Sequence, residues 1–416
     1  MIDEALRAAA LPALPRSAWL EIDQDALAGN LAAVRSLVGP NVAIAAVVKS
    51  DGYGHGLEVT ARTFVAAGAD RLCVATLDEA LHLRTVGIHE PILVLFAIPP
   101  SRVDDAVQAG LDLVASDHEI LAETLDRLAA TTRPGQAIGF HLEVETGLGR
   151  AGIVPEDVPD LARRIGSTAN AELSGLWSHL ASPEDVHVSA AQRAQLHIAA
   201  TALRNAGQAV PPIHLSASGG LFAGTGELGG MVRPGLCLYG ELDADLPIAG
   251  EARTAAAALR PAMALRCRAL RILEVPTGTA IGYGGRWRAS RPSRIATLPV
   301  GYGDGFARAY QPGGEALVRG RRVPIVGTVA MDAVAADVTE VAEATMADEF
   351  TLLGVQGADR ITADELARTR TTISWEVLAS MAYRLPRVYH SGPGLTGVRT
   401  LGGEILARGR SQPAGE

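Results

Sequence analysis

Lysine is almost missing from this sequence. Of its 37 Lys and Arg residues a single one, Lys49, is lysine. Arginine stays protonated at any working pH, whereas a desolvated lysine amine can lose its proton and attack a carbonyl. Lys49 ends the apolar run Ala43-Ile-Ala-Ala-Val-Val-Lys49, which supplies that desolvation if it is a buried strand. The bland alternative is a strand-end cation snorkelling to water. The sharper reading is a Schiff-base lysine.

Cysteine is scarce too. Cys73, Cys237 and Cys267 stand far apart in apolar runs, with no CxxC and no zinc spacing, which predicts reduced, buried thiols. The net charge of −9 argues against nucleic acid or an anionic membrane as a partner. No apolar run approaches the length of a membrane span. The start, Met1-Ile-Asp-Glu-Ala-Leu-Arg7, is acidic where a signal peptide would be basic. A soluble cytoplasmic protein is the expectation. GxxxxGK[ST], GxSxG and HExxH are all absent, and with them the chemistries they carry. A metal site from His179, Asp185 and His187 matches no usual ligand spacing.

What is present is alternation. Apolar runs at 44–49, 72–76, 92–96, 112–116, 138–145, 173–179, 213–218 and 232–239 are separated by stretches with helical spacing, among them 58–67, 78–86, 119–130, 158–165 and 190–206. Eight such units predict an α/β fold with a (β/α)8 TIM barrel. A doubly wound open sheet would want GxGxxG after its first strand. The sequence there is Lys49-Ser-Asp-Gly-Tyr-Gly-His-Gly56. After Pro261 the runs are shorter and punctuated by Gly and Pro, and Thr362-Ala-Asp-Glu365 has capping-box spacing for a late helix. The expected domains are an N-terminal extension over 1–16, the barrel over 17–255 and a C-terminal, mainly β domain over 256–416.

Barrel chemistry gathers at the C-terminal ends of the strands. Those ends carry Lys49, Arg150 in the loop after the fifth run, His179, Ser218-Gly-Gly220 and Arg233-Pro-Gly235. Each is weak evidence alone. Five on five converging strands are stronger. Ser218, Gly235 and the phenol of Tyr53 would suit a phosphate, and an amine beside a phosphate cradle suggests pyridoxal 5'-phosphate.

At these residues the sequence resembles the alanine racemase family, fold-type III pyridoxal phosphate enzymes. The motifs that carry the likeness are Ala46-Val-Val-Lys49 to Gly56, Thr146-Gly-Leu-Gly-Arg150, Ser178-His179, Met231-Val-Arg-Pro-Gly235, Gly282-Tyr283-Gly284, Val300-Gly-Tyr302-Gly-Asp304-Gly, Met331-Asp332 and Tyr383-Arg-Leu-Pro-Arg387. The resemblance implies a racemase interconverting L-alanine and D-alanine, the latter for peptidoglycan, working as a homodimer with composite active sites. It implies that Lys49 holds the cofactor aldehyde and is one base, and that Tyr283, from the other subunit, is the base on the opposite face. It further implies Arg233 at the pyridine nitrogen and His179 against the ring. Tyr53, Ser218, Gly235 and Tyr383 would hold the phosphate. Arg150 would lie by the substrate carboxylate, with the partner's Met331 in the pocket and Tyr302 at its entrance.

Three departures from the pattern matter. Glu143 stands where many members carry a lysine that becomes carbamylated. Ala217 replaces a usual Asn, and Ser50-Asp-Gly52 replaces Ala-Asn-Ala. Glu143 predicts a built-in carboxylate for Arg150. A decarboxylase of the same fold would want a catalytic cysteine in the second domain, where only Cys267 is found. A non-catalytic cofactor carrier would need neither a second domain nor Tyr283.

Overall fold

The structure, a computed structural model, describes residues 2–130 and 137–407. Two compact units divide the chain.

The larger unit holds residues 27–53 and 57–260. Its strands are Ala43–Val47, Arg71–Val74, Ile92–Val94, Asp112–Ala115, Ile138–Glu143, Ala171–Trp177, Ile213–His214 and Met231–Val232. All eight are parallel, and the first to the seventh pair in sequence order. The last returns to the first in the register Ala43↔Met231. A single bridge, Ala217↔Arg233, joins the seventh segment to the eighth, so the barrel is nearly closed. Both faces of each strand are covered, which is why the runs read as continuous apolar stretches: every residue of Ile138–Glu143 is buried. The helices bury one stripe each. In Val158–Ser167 that stripe is Val158, Leu161, Ala162 and Ile165.

The last two runs are shorter as strands than the sequence suggests. Pro234 has no N–H to continue the ladder, so the eighth strand stops at Val232 and Leu236–Tyr239 forms a 3-10 turn. The seventh stops at His214, and Ser218 opens the short helix Ser218–Ala223.

The second unit contains residues 261 to 407, but also residues 2–26 and Gly54–Gly56. Residues 17–26 were expected with the barrel. Strand Ala18–Asp23 instead lies inside the second unit's sheet, antiparallel to Met263–Arg268 and parallel to Arg387–Ser391. The cause is local. Trp19 is fully buried with Ile2, Leu6, Leu11, Val388 and Val398. Helix Ile2–Ala8 is pinned by Asp3, which takes a 2.7 Å ion pair from Arg268. The second unit's own strands begin with Met263–Arg268 and Arg271–Val275. Thr362 does cap helix Ala363–Thr369, its hydroxyl accepting from the Glu365 N–H at 3.0 Å. All three cysteines are free and buried. Among the described residues, no helix is long and apolar enough to cross a membrane.

Candidate active site

Lys49 follows the first barrel strand, and the chain after it winds left-handed. Ser50, Asp51, Gly52 and Tyr53 have φ of 55, 55, 59 and 50°. That hand costs an ordinary residue about 1–2 kcal/mol, so the surroundings must enforce it. The Ser50 N–H donates to Glu79 Oε1 at 2.6 Å, and Asp51 Oδ1 accepts from the Leu57 N–H at 2.9 Å. A Cβ at Gly52 would lie 2.8 Å from Thr60 Oγ1. Tyr53 packs on Tyr239 with ring centres 4.7 Å apart. Lys49 itself is half-buried. Its Nζ makes no hydrogen bond or ion pair among the described residues. Burial, then the charge of Arg150, lowers its pKa, toward a neutral, nucleophilic amine.

Arg233 is buried at the same end of the barrel. Nη1 donates to His214 O at 2.7 Å and to His214 Nδ1 at 2.6 Å, and Nη2 to Ser178 O at 2.8 Å. Its guanidinium lies 4.6 Å from the centre of the Trp177 ring. Burial brings its pKa down to about 10, still a cation at neutral pH. Its Nε–H donates to nothing among the described residues. His179 sits 3.5 Å from Arg233 Nη2 through Nδ1. Burial and the charges of Arg233, Arg150 and Lys49 push its pKa down to about 3, so it is a neutral ring. Gln192, which sequence reading missed, holds this rim. It donates to His179 O at 3.0 Å and to Thr146 Oγ1 at 3.1 Å.

Arg150 reaches Glu143 Oε1 at 3.4 Å. The Glu143 carboxylate is buried, and desolvation raises its pKa against the opposing pull of Arg150. Glu145, two residues on, acts on the backbone instead. It accepts the N–H groups of Gly147 and Gly149, shaping the loop that carries Arg150. Ser218 Oγ accepts from the N–H of Gly235 at 3.0 Å. A Cβ on Gly235 would lie 2.6 Å from the Tyr53 hydroxyl. Tyr53, Ser218 and Gly235 thus form one small cradle that a larger residue at 235 would fill. A partnerless amine, a partnerless guanidinium N–H and this cradle suit a phosphorylated aldehyde with a ring nitrogen.

The remaining expected residues lie in the second unit. The Tyr302 N–H donates to Ala330 O, and the Gly303 N–H to Met331 O, at 3.0 and 2.9 Å. The loop of 327–333 also reaches Tyr283, whose carbonyl accepts from Thr328 Oγ1 at 3.1 Å. One loop therefore gathers Tyr283, Tyr302 and Met331. Tyr283 is 74% exposed and Met331 51%. Tyr383 is exposed under the Arg399 guanidinium at 4.5 Å. The buried carboxylate of Asp304 organises these loops. It takes two hydrogen bonds from Arg16, at 2.6 and 3.0 Å, one from Arg384 at 2.8 Å, and the N–H of Gly301 at 3.0 Å. Asp304 lies inside the motif Val300–Gly305, so a signal was there. Of the trio read as a conceivable metal site, Asp185 caps helix Val186–Asn205 by accepting from the His187 N–H.

Comparison with known proteins places these features in one family. Residues 22–243 match the alanine racemase N-terminal domain, and residues 262–389 the C-terminal domain. Alanine racemase from Halothermothrix orenii is 35% identical over 384 residues, covering 92% of this chain and 99% of the relative. That from Desulfosudis oleivorans is 37% identical, covering 90% and 97%. The crystal structure of alanine racemase from Bacillus anthracis with bound L-Ala-P superposes with a TM-score of 0.85 at 30% identity, covering 93% and 98%. A histidine racemase from Leuconostoc mesenteroides gives 0.79 at 27%, covering 91% and 99%. A barrel with a lysine at its mouth and a separate β unit accord with both family domains matched in order, which establish that this chain belongs to the alanine racemase family of isomerases.

Proposed function

We propose that this chain is a cytoplasmic, pyridoxal phosphate-dependent enzyme that interconverts L- and D-alanine, supplying D-alanine for peptidoglycan. The observation that carries the reading is Lys49: a half-buried amine without a partner, the sole lysine, on a strained turn beside Arg233 and His179. Pyridoxal phosphate, when bound, supplies an electron sink that acidifies the α-proton of an amino acid joined to it.

The chain's own residues do the rest. Lys49 Nζ holds the cofactor aldehyde and moves a proton on one face, its lowered pKa bringing it nearer the working range of a base. The phenol of Tyr283 moves a proton on the other. Removing a proton from one face and returning one to the other inverts the centre, so two bases are needed. Arg233 is a fixed cation that keeps its proton and offers Nε–H to the ring nitrogen. His179, neutral, packs against the ring. Tyr53, Ser218, Gly235 and Tyr383 hold the phosphate. Arg150, steadied by Glu143, orients the substrate carboxylate. Met331 of the partner subunit lies in the substrate pocket and Tyr302 at its entrance.

The high exposure of Tyr283 and Met331 supports a homodimer in which each second unit serves the partner's barrel. Borohydride reduction and peptide mapping should place a pyridoxyl group on Lys49. Mixing inactive Lys49→Ala and Tyr283→Phe chains should restore activity through heterodimers. The deciding experiment is chiral analysis of products from a panel of L-amino acids that includes alanine, serine and histidine. Racemisation of histidine but not alanine would overturn the substrate, and no racemisation would overturn the reading.

A further inference from the structure

Behind Arg233 runs a line of polar groups that the proposed chemistry does not use, its two histidines buried and its Asp112–Arg71 end partly exposed. His214 Nε2 lies 2.8 Å from His141 Nδ1. His141 Nε2 faces Asp112 Oδ2 across 3.6 Å, and Asp112 takes a 2.7 Å ion pair from Arg71. Both histidines are fully buried or nearly so. Asp112 and Arg71 begin the fourth and second strands, while His214 ends the seventh and Arg233 follows the eighth. The line therefore runs from the N-terminal floor of the barrel to its mouth.

Its protons are fixed by logic. A guanidinium only donates, so His214 Nδ1 must present a lone pair to Arg233. His214 then carries its proton on Nε2 and donates to His141 Nδ1. His141 in turn carries its proton on Nε2, aimed at the carboxylate. Neither ring can take up a second proton without setting two N–H groups against each other. Four groups are thus aligned in one direction, cation to anion.

The barrel is built to admit this line. Gly139 and Gly175 lie in strands, where glycine is costly, and neither has a positive φ. A Cβ on Gly139 would collide with Asp112 Oδ1, and one on Gly175 with His141 Nδ1. The pairing of the fifth and sixth strands shifts register between Phe140 and His141, the kind of irregularity that re-aims a side chain. Gly139 leaves room for the Asp112 carboxylate, and Gly175 with the register shift leaves room for the His141 imidazole. Arg233 meanwhile bonds no carboxylate among the described residues; its acceptors are carbonyls and imidazole nitrogens.

We propose that Asp112, acting through His141 and His214, fixes the orientation of the Arg233 guanidinium. All three are positioning residues. Resting on the functional reading above, the consequence is that they govern how firmly Arg233 addresses the cofactor ring.

The test is nitrogen NMR on the full-length chain labelled with 15N-histidine, read before pyridoxal phosphate is added and again after. Both histidines should be neutral Nε2–H tautomers, unchanged between pH 7 and about pH 5.5, well below the free histidine range. Asp112→Asn should move the ring-nitrogen signals of His141 and also those of His214, which Asp112 does not touch, and should weaken retention of pyridoxal phosphate on dialysis. If Asp112→Asn fails to fold, His141→Gln cuts the same line and is read at His214. An Nδ1–H tautomer at His214 in the parent overturns the proposal. So do His214 signals that stay put when Asp112 or His141 is replaced, since a carboxylate serving only Arg71 would change stability alone. Because the tautomers are read on the chain without cofactor, failure to bind pyridoxal phosphate overturns the functional reading and leaves these signals to decide this one.

Discussion

Lowering the pH from 7.5 to 5.5 should destabilise this chain through its buried histidines. His141, His179 and His214 all have pKa values lowered, in each case by burial first. In the unfolded chain each takes a proton near 6.5. In the folded chain His179 takes one only near 3. Below pH 6.5 the unfolded state therefore binds protons that the folded state refuses, and stability falls as pH falls. Above pH 6.5 the contribution is constant. One such histidine loses about 1.4 kcal/mol per pH unit, and three together about 4 kcal/mol as a ceiling. Against a domain stability of about 5–15 kcal/mol this is a large fraction. Glu143 works the other way, because its raised pKa favours the folded state as pH drops through it, so it offsets part of the loss. The assay is urea unfolding of the cofactor-free chain at half-unit steps of pH. The midpoint should decline steadily below about 6.5. A midpoint flat from pH 7 to 5.5 would refute the claim that these rings are kept neutral by the barrel.

Three further outcomes are expected. Glu143→Gln removes the buried partner of a half-exposed Arg150; discounted for that exposure, about 1–2 kcal/mol should be lost, read as roughly a tenfold fall in kcat/KM, and the parent's rate should not respond to bicarbonate. Gly175→Ala should lower Tm through a loss of about 1–3 kcal/mol as the methyl meets the His141 ring, while Gly29→Ala, in helix Gln24–Val38 with open space around it, should be neutral or raise Tm by up to about 1 kcal/mol of stability. Asp304→Asn strips the shared carboxylate from Arg16 and Arg384 and should cost about 3–5 kcal/mol in thermal unfolding, with turnover falling further as the Tyr302 and Met331 loops loosen.

The barrel was legible because fully buried parallel strands leave unbroken apolar runs, and Lys49 because nothing else in the chain is a lysine. The ends of elements were less so. Leu236–Tyr239 is as apolar as a strand, and only Pro234 hints that the ladder has stopped. Residues 2–11 carried no readable role, since Ile2, Leu6 and Leu11 acquire meaning only beside Val388 and Val398. The line through His141 was invisible for the same reason. Its members are scattered from 71 to 233, and Gly139 and Gly175 look like weak strand positions until the side chains they make room for are seen. Glu143 was singled out only because the resemblance implies a carbamylated lysine at its position; spacing alone would not have paired it with Arg150, which it meets at 3.4 Å.

The place of Ala18–Asp23 in the sheet bears on how the protein is made. This strand leaves the ribosome long before its partners, the antiparallel one beginning at Met263 and the parallel one at Arg387. At roughly 5–20 residues per second, it waits on the order of tens of seconds for the second of them. All the barrel's strands are synthesised within that interval, so the barrel can close while Trp19, Leu20 and Ile22 are still bare. A nascent chain stalled before Arg387 exposes an adhesive strand. A gene fragment encoding the C-terminal unit from Pro261 onward lacks a central strand of its sheet, and supplying residues 2–26, by circular permutation or as a separate peptide, is what would let that unit fold without the barrel.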